Sequence, residues 1–124
     1  LEDLVSKKTA ALLSCSCLLG CIAANADDTD RNKAITYGYK LGMAFQIADD
    51  ILDCEGDSDT LGKSTGKDEK SGKSTFVSVL GKENAKQLAK TLTEEAKDSI
   101  SDSGDRQVRK RLLEFCDLML FRKF

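Results

Sequence analysis

A chain of 124 residues carrying 19 basic against 21 acidic side chains has room for one domain with a real core, and its length argues against two. Its net charge of −2 gives no reason to expect nucleic acid as a partner. Histidine is absent, which removes His-based acid–base catalysis, Ser–His and Cys–His nucleophile pairs and histidine metal sites together. Proline is also absent and aromatics are few, while Ala, Leu, Lys, Asp and Glu are plentiful; this composition predicts an all-α fold.

The first predicted helix covers residues about 4–25 and is almost entirely apolar or small from Ala10 to Ala24. The run is shorter than the ~20 residues needed to cross a bilayer, so no stable membrane insertion is expected. Lys7-Lys8, the apolar run and Ala24-Asn25-Ala26 imitate an export signal, and Leu18-Leu19-Gly20-Cys21 imitates a lipoprotein box. Acidic Glu2 and Asp3 upstream and the missing start methionine oppose that reading. A chain opening on Leu1-Glu2-Asp3, partway into a helix, is expected to be a fragment of something longer. Cys15, Cys17, Cys21, Cys54 and Cys116 contain no C-x-x-C and make a zinc site a weak reading. They are expected to be small buried residues in a reducing, cytoplasmic setting.

Asp27-Asp28-Thr29-Asp30 offers N-caps for a second helix, about 30–54. Within it lies Phe45-Gln46-Ile47-Ala48-Asp49-Asp50-Ile51-Leu52-Asp53. Helical spacing puts Gln46, Asp49, Asp50 and Asp53 in one sector, and Ile35, Tyr39 and Gly42 extend that sector upstream. Such a sector would suit a channel beside the helix, although Ile35 and Tyr39 in the core is the simpler expectation. Three like charges near a predicted helix C-terminus are doubly unfavourable, which calls for a compensating metal ion or set of lysines.

Residues 56–72 read as a loop rich in Gly, Ser, Asp and Lys. Gly62-Lys63-Ser64-Thr65 and Gly72-Lys73-Ser74-Thr75 invite a phosphate-loop reading and fail it, because the preceding glycine lies one residue too far away in each case. An EF-hand starting at Asp57 fails as well, with Leu61 at a ligand position and Asp68 in place of the final glutamate. What remains is Lys63, Lys67, Lys70 and Lys73 immediately after clustered aspartates. Ser74 or Thr75 offers a cap to a segment of ambiguous type, 76–80. Two one-sided helices follow, at about 82–101 and 105–122, the second with Val108, Leu112, Phe115, Cys116 and Met119 on its apolar side. Four helices cannot bury two members that are apolar all round, so further helices, another subunit or lipid is expected to cover them.

Clustered carboxylates without histidine point to a hard cation, Mg²⁺ or Ca²⁺. Mg²⁺ takes one or two carboxylates and fills its shell with water and phosphate oxygens, which lysines would complete. The ligand expected is therefore a diphosphate or nucleotide. Metal-chelated diphosphate is a good leaving group, and an apolar channel can shelter the cation it leaves.

Lys8-Thr9 opening an apolar helix, Phe45-Gln46-x-x-Asp49-Asp50-x-x-Asp53, Gly62-Lys63-x-x-Gly66-x-Asp68 and Gly72-Lys73-Ser74-Thr75 together resemble the trans-isoprenyl diphosphate synthase (polyprenyl synthetase) family, most closely its bacterial farnesyl diphosphate synthases. The resemblance covers the C-terminal half of such an enzyme. It implies that residues 1–124 are the C-terminal portion of a polyprenyl synthetase domain, half of an isoprenoid-synthase-type helical bundle, with the first aspartate-rich motif missing. It further implies that Asp49, Asp50 and Asp53 form the second aspartate-rich motif, binding Mg²⁺, with Asp68 supporting either the metal cluster or the loop lysines. Lys8, Gln46, Lys63 and Lys73 match positions contacting the allylic diphosphate, and Thr9 the threonine beside the reacting centre. The implied reaction ionises an allylic prenyl diphosphate with three Mg²⁺ and joins it to isopentenyl diphosphate, in a homodimeric enzyme. Arg122 and Lys123 resemble the family's basic tail. A chain with one metal motif is expected to be inactive alone. The alternative is a non-catalytic helical interaction module whose acidic cluster is a surface feature.

Overall fold

The computed structural model describes residues 6–60 and 75–120, and every regular element in it is helical. A π-helical turn, Ser6–Ala10, runs directly into α1 (Ala11–Ala23), followed by α2 (Asp28–Thr60), α3 (Phe76–Leu80), α4 (Lys82–Ser99) and α5 (Arg106–Leu120). The all-α expectation holds. α2 is the spine, packing against the π turn and against each of the other helices.

The helix ends follow local chemistry. After α1, Asn25 takes a left-handed conformation (φ 53°), the Asn25 N–H reaches the Ile22 carbonyl and the Ala26 N–H reaches the Cys21 carbonyl. This is the two-bond closure that Asn tolerates in place of glycine. Asp27 Oδ1 accepts from the Asp30 N–H at 2.9 Å and starts α2, as its acidic run predicted. Thr75 and Ser78 exchange side-chain and backbone hydrogen bonds and open α3, so the ambiguous segment is a short capped helix. Asp105 Oδ1 accepts from the Gln107 and Val108 N–H groups and starts α5.

Three expectations need correction. α2 does not stop near residue 54 but continues to Thr60, through Gly56. Asp49, Asp50 and Asp53 therefore lie more than one turn before the helix end, and the dipole opposition argued from the sequence falls away, since that effect is confined to the last turn. Only Cys116 among the cysteines is buried; Cys15 and Cys54 are exposed, and all five are free thiols. Val108 and Phe115, assigned to the apolar side of the last helix, are exposed, while Cys116 carries that side into the core.

The pairing of α2 with α4 is antiparallel. Lys40 bridges Glu95 at 2.6 Å and Glu55 bridges Lys82 at 2.8 Å, so positions rise on one helix as they fall on the other. The same holds for α1 on α2, where Ala10 lies beside Gly42 and Ser14 beside Gly38. Two apolar clusters fill the interior. One gathers Ala10, Met43, Ile47, Ile51, Phe76, Ala85 and Ala89 near the carboxylate end of α2. The other gathers Tyr37, Leu41, Ala96, Ile100 and Cys116 at the opposite end.

In that second cluster the Tyr37 hydroxyl donates to the Leu112 carbonyl oxygen at 3.0 Å, tying α2 to α5. Burial pushes the Tyr37 phenol far above its ordinary range, with the Cys116 thiol adding to the shift. Tyr37→Phe is expected to cost about 1 kcal/mol, read as a lower urea midpoint at unchanged slope. The cost stays modest because the Leu112 carbonyl keeps its helical bond within α5.

α1 buries none of its residues, and Leu12, Leu19 and Ile22 stand 69%, 59% and 49% exposed. This exposed face is the one for which a cover was expected. Among the described residues no helix is long and apolar enough to cross a membrane.

Candidate functional site

The sequence placed Lys8-Thr9 and the Gln46–Asp53 stretch 37 or more positions apart; the fold brings them together. Gly42 permits it. A Cβ there would lie 2.5 Å from the Ala10 Cα, and one at Gly38 would lie 2.6 Å from the Ser14 Cα. Two glycines four apart thus let the backbones of α1 and α2 touch, which seats the π turn on the polar sector of α2. A π turn widens the helix and misaligns its hydrogen bonds, and such turns concentrate at functional sites. Here it carries Lys8 and Thr9.

From that turn a hydrogen-bonded line crosses three elements. The Thr9 hydroxyl donates to Gln46 Oε1 at 3.2 Å. The Gln46 amide donates to Asp50 Oδ1 at 3.1 Å, and the Phe76 N–H donates to Asp50 Oδ2 at 3.0 Å. Asp49 is half-buried one residue before, Asp53 is exposed one turn further, and Lys8 is exposed on the π turn. Lys63, Asp68 and Lys73, and with them Arg122 and Lys123, lie outside the described residues.

Ile35 and Tyr39 do not pack in the core. They stand 36% and 38% exposed and, with Lys7, Ala11, Ser14, Cys15 and Leu18, line a groove of about 440 Å³ between α1 and α2. Gly42, on the same sector of α2, is instead closed off by Ala10 at the end of the π turn. The sector is therefore split between a helix contact and a groove, not one continuous channel.

Among the described residues no group of three carboxylates or thiols converges on a point where a metal ion could sit. The donor chemistry still fits Mg²⁺ in its usual mode, which needs one or two carboxylates and leaves the rest of the shell to water and ligand oxygens. Each carboxylate offers about four lone-pair positions, so Asp50 retains acceptor capacity beyond the two bonds it makes. Further along α2, Glu55 is ion-paired with Lys82 at 2.8 Å and Lys86 at 3.4 Å, and these lysines hold its carboxyl below the usual range. These α4 lysines pair with Glu55, while the loop lysines expected opposite Asp49, Asp50 and Asp53 lie outside the described residues.

The sequence reading missed the Phe76 N–H as partner of Asp50, the Gly38-x-x-x-Gly42 contact, and Lys82 and Lys86. The glycine spacing was visible in the sequence. The other two depend on where the chain returns after residue 60.

An all-α bundle with a long central helix, a widened turn and an acidic sector facing it has the isoprenoid-synthase fold. Over 98% of its length the chain superposes on a geranylgeranyl pyrophosphate synthetase from the archaeon Geoglobus acetivorans, with a TM-score of 0.80 and 25% identity, covering 46% of that chain. Residues 1–114 match the polyprenyl synthetase family, and the chain belongs to it. It is 40% identical over 123 residues to the farnesyl diphosphate synthase of Bacillus subtilis (strain 168), covering 98% of this chain and 40% of that protein. It is 44% identical over 93 residues to the geranylgeranyl diphosphate synthase of Cyanophora paradoxa, covering 75% of this chain and 31% of that protein. The chain thus spans less than half the length of these relatives.

Proposed function

We propose that this chain carries one half of the active site of a Mg²⁺-dependent trans-prenyltransferase, which condenses an allylic prenyl diphosphate with isopentenyl diphosphate. The observation supporting it most directly is the line from Thr9 through Gln46 to Asp50, which joins the Lys8-Thr9 turn to the acidic sector in a member of the polyprenyl synthetase family. In this reading one or two of Asp49, Asp50 and Asp53, with Asp68, hold Mg²⁺. Lys8, Gln46, Lys63 and Lys73 bind the allylic diphosphate, and Thr9 lies beside its reacting carbon. Bound Mg²⁺ would neutralise the diphosphate and make it a better leaving group. The residues of this chain would orient the diphosphate at the π turn, and the apolar side chains of α1 would keep water from the carbon skeleton. No histidine base is required if the departing diphosphate takes the proton.

A farnesyl-type product is proposed from the motifs, although the named relatives divide between farnesyl and geranylgeranyl diphosphate synthases. It further holds that residues 1–124 form the C-terminal portion of the domain, that the whole enzyme is a cytoplasmic homodimer, and that this chain alone does not turn over.

Calorimetry with Mg²⁺ and inorganic diphosphate is the direct test. Asp49→Asn is expected to weaken Mg²⁺-dependent binding by 100-fold or so, corresponding to loss of a charged metal ligand, about 3 kcal/mol. Binding that is unchanged in Asp49→Asn, or absent from the unsubstituted chain, would favour a non-catalytic helical interaction module instead. Product formed by the chain alone from an allylic diphosphate, isopentenyl diphosphate and Mg²⁺ would overturn the expectation that it is inactive by itself.

A further inference from the structure

We infer that Asp50 is a positioning residue and not a metal ligand: it latches the start of α3 onto α2 and sets the direction of the hydrogen bonds that orient Thr9. The inference rests on the prenyltransferase reading of the site and divides the work among its carboxylates.

Phe76 is the first residue of α3, and its N–H is one of the donors that a helix start leaves without an internal partner. The capping side chain, Thr75, accepts from the Ser78 N–H instead. Asp50, 26 positions earlier, supplies the missing acceptor through Oδ2 at 3.0 Å. The Phe76 side chain is 3% exposed and packs in the same cluster as Ile47 and Ile51, so α3 is held to α2 by backbone and side chain together. A cation at Oδ2 would have to share that oxygen with the Phe76 N–H, drawing its charge away from a charge-assisted hydrogen bond at the root of this helix. Asp53, one turn further and exposed, carries no such attachment among the hydrogen bonds of the described residues.

The other oxygen fixes a polarity. An ionised carboxylate can only accept, so Gln46 must turn its NH₂ towards Asp50 Oδ1. Its carbonyl oxygen then faces Thr9, whose hydroxyl must donate to it. Both lone pairs of the Thr9 oxygen are thereby kept for whatever lies beyond. An asparagine at position 50 could still accept from the Phe76 N–H, but its NH₂ would face Gln46 and could reverse the line.

The experiment uses the full chain, with amide hydrogen exchange at Phe76 and Mg²⁺-dependent binding of inorganic diphosphate followed in Asp50→Ala, Asp50→Asn and Asp49→Asn. Asp50→Ala is expected to reduce Phe76 protection by roughly 10- to 100-fold. Asp50→Asn is expected to restore that protection to within about threefold and to retain binding within about tenfold, where Asp49→Asn loses about 100-fold. Unchanged Phe76 protection in Asp50→Ala would overturn the latch. Binding lost as fully in Asp50→Asn as in Asp49→Asn would make Asp50 a metal ligand. If Asp50→Ala does not fold, Asp50→Asn still decides whether Asp50 is a metal ligand, and Phe76 exchange in the unsubstituted chain decides the latch, expected roughly 10-fold or more slower than an unbonded helix-start amide and overturning the latch if it is not. Should the unsubstituted chain bind no diphosphate with Mg²⁺, the prenyltransferase reading fails, and Phe76 protection still decides the latch.

Discussion

Gly42→Ala is expected to destabilise the protein by about 2 kcal/mol or more, although alanine is the better helix former by ~1 kcal/mol. The sign is decided by space. The added Cβ would meet the Ala10 Cα at 2.5 Å, its Cβ at 3.1 Å and its backbone nitrogen at 3.2 Å. The nearest of these is backbone, so no side chain can swing away. Relief requires α1 to move off α2, and overpacking of that kind costs about 1–3 kcal/mol beyond what propensity returns. Gly20→Ala is the matched control, because nothing lies within 4 Å of its added Cβ and the position is helical. It should stabilise by about 0.5–1 kcal/mol. Urea midpoints at constant slope measure both. A Gly42→Ala protein as stable as the unsubstituted one would mean the two helices are not in backbone contact. The functional consequence is local, because Ala10 is the neighbour of Thr9. Lifting Ala10 is expected to lengthen the 3.2 Å bond from Thr9 to Gln46.

That coupling explains what could be read in advance and what could not. The four longer helices were legible from periodicity, with Asp27 offering a start for α2, whereas the five residues of α3 are too few to show a period and left its type ambiguous until Thr75 was seen to cap it. The polar sector of α2 was legible because i, i+3, i+4 and i+7 spacing is a property of one helix. The end of α2 was misjudged because Gly56 and the run of Asp and Ser after it have low helix propensity, and propensity is a weak guide against context. The exposed thiols were misjudged for a related reason. α1 is apolar all round, so composition marks Cys15 as buried, whereas the fold of the described residues gives α1 only one partner face. The Asp50–Phe76 bond was out of reach because it spans 26 positions and uses a backbone donor that has no signature in sequence.

Ile47→Ala should show how far the site depends on the core beneath it, with an expected loss of about 3–4 kcal/mol. Ile47 is fully buried, and its neighbours include Ala10, Ala85 and Ala89, small side chains that cannot extend into the space vacated. The cavity is therefore expected to persist, which places the cost in the upper part of the 2–5 kcal/mol range for such truncations, less a few tenths for the better helix propensity of alanine. Ile35→Ala, at the groove and 36% exposed, removes the same atoms with far less to lose and should cost under about 1 kcal/mol. The contrast between the two separates burial from residue type, and equal losses would contradict the packing described. Ile47 also sits one residue from Gln46 and in the same cluster as Phe76 and Ala10. Gln46 is itself a link in the line from Thr9 to Asp50, Phe76 donates to Asp50 at its end, and Ala10 adjoins Thr9 at its start. Ile47→Ala is thus expected to lower hydrogen-exchange protection at Phe76 along with global stability, whereas Tyr37→Phe, in the far cluster, should leave Phe76 protection relative to its neighbours unchanged. A site built from hydrogen bonds near 3 Å on a shared apolar base holds its geometry only while that base is filled.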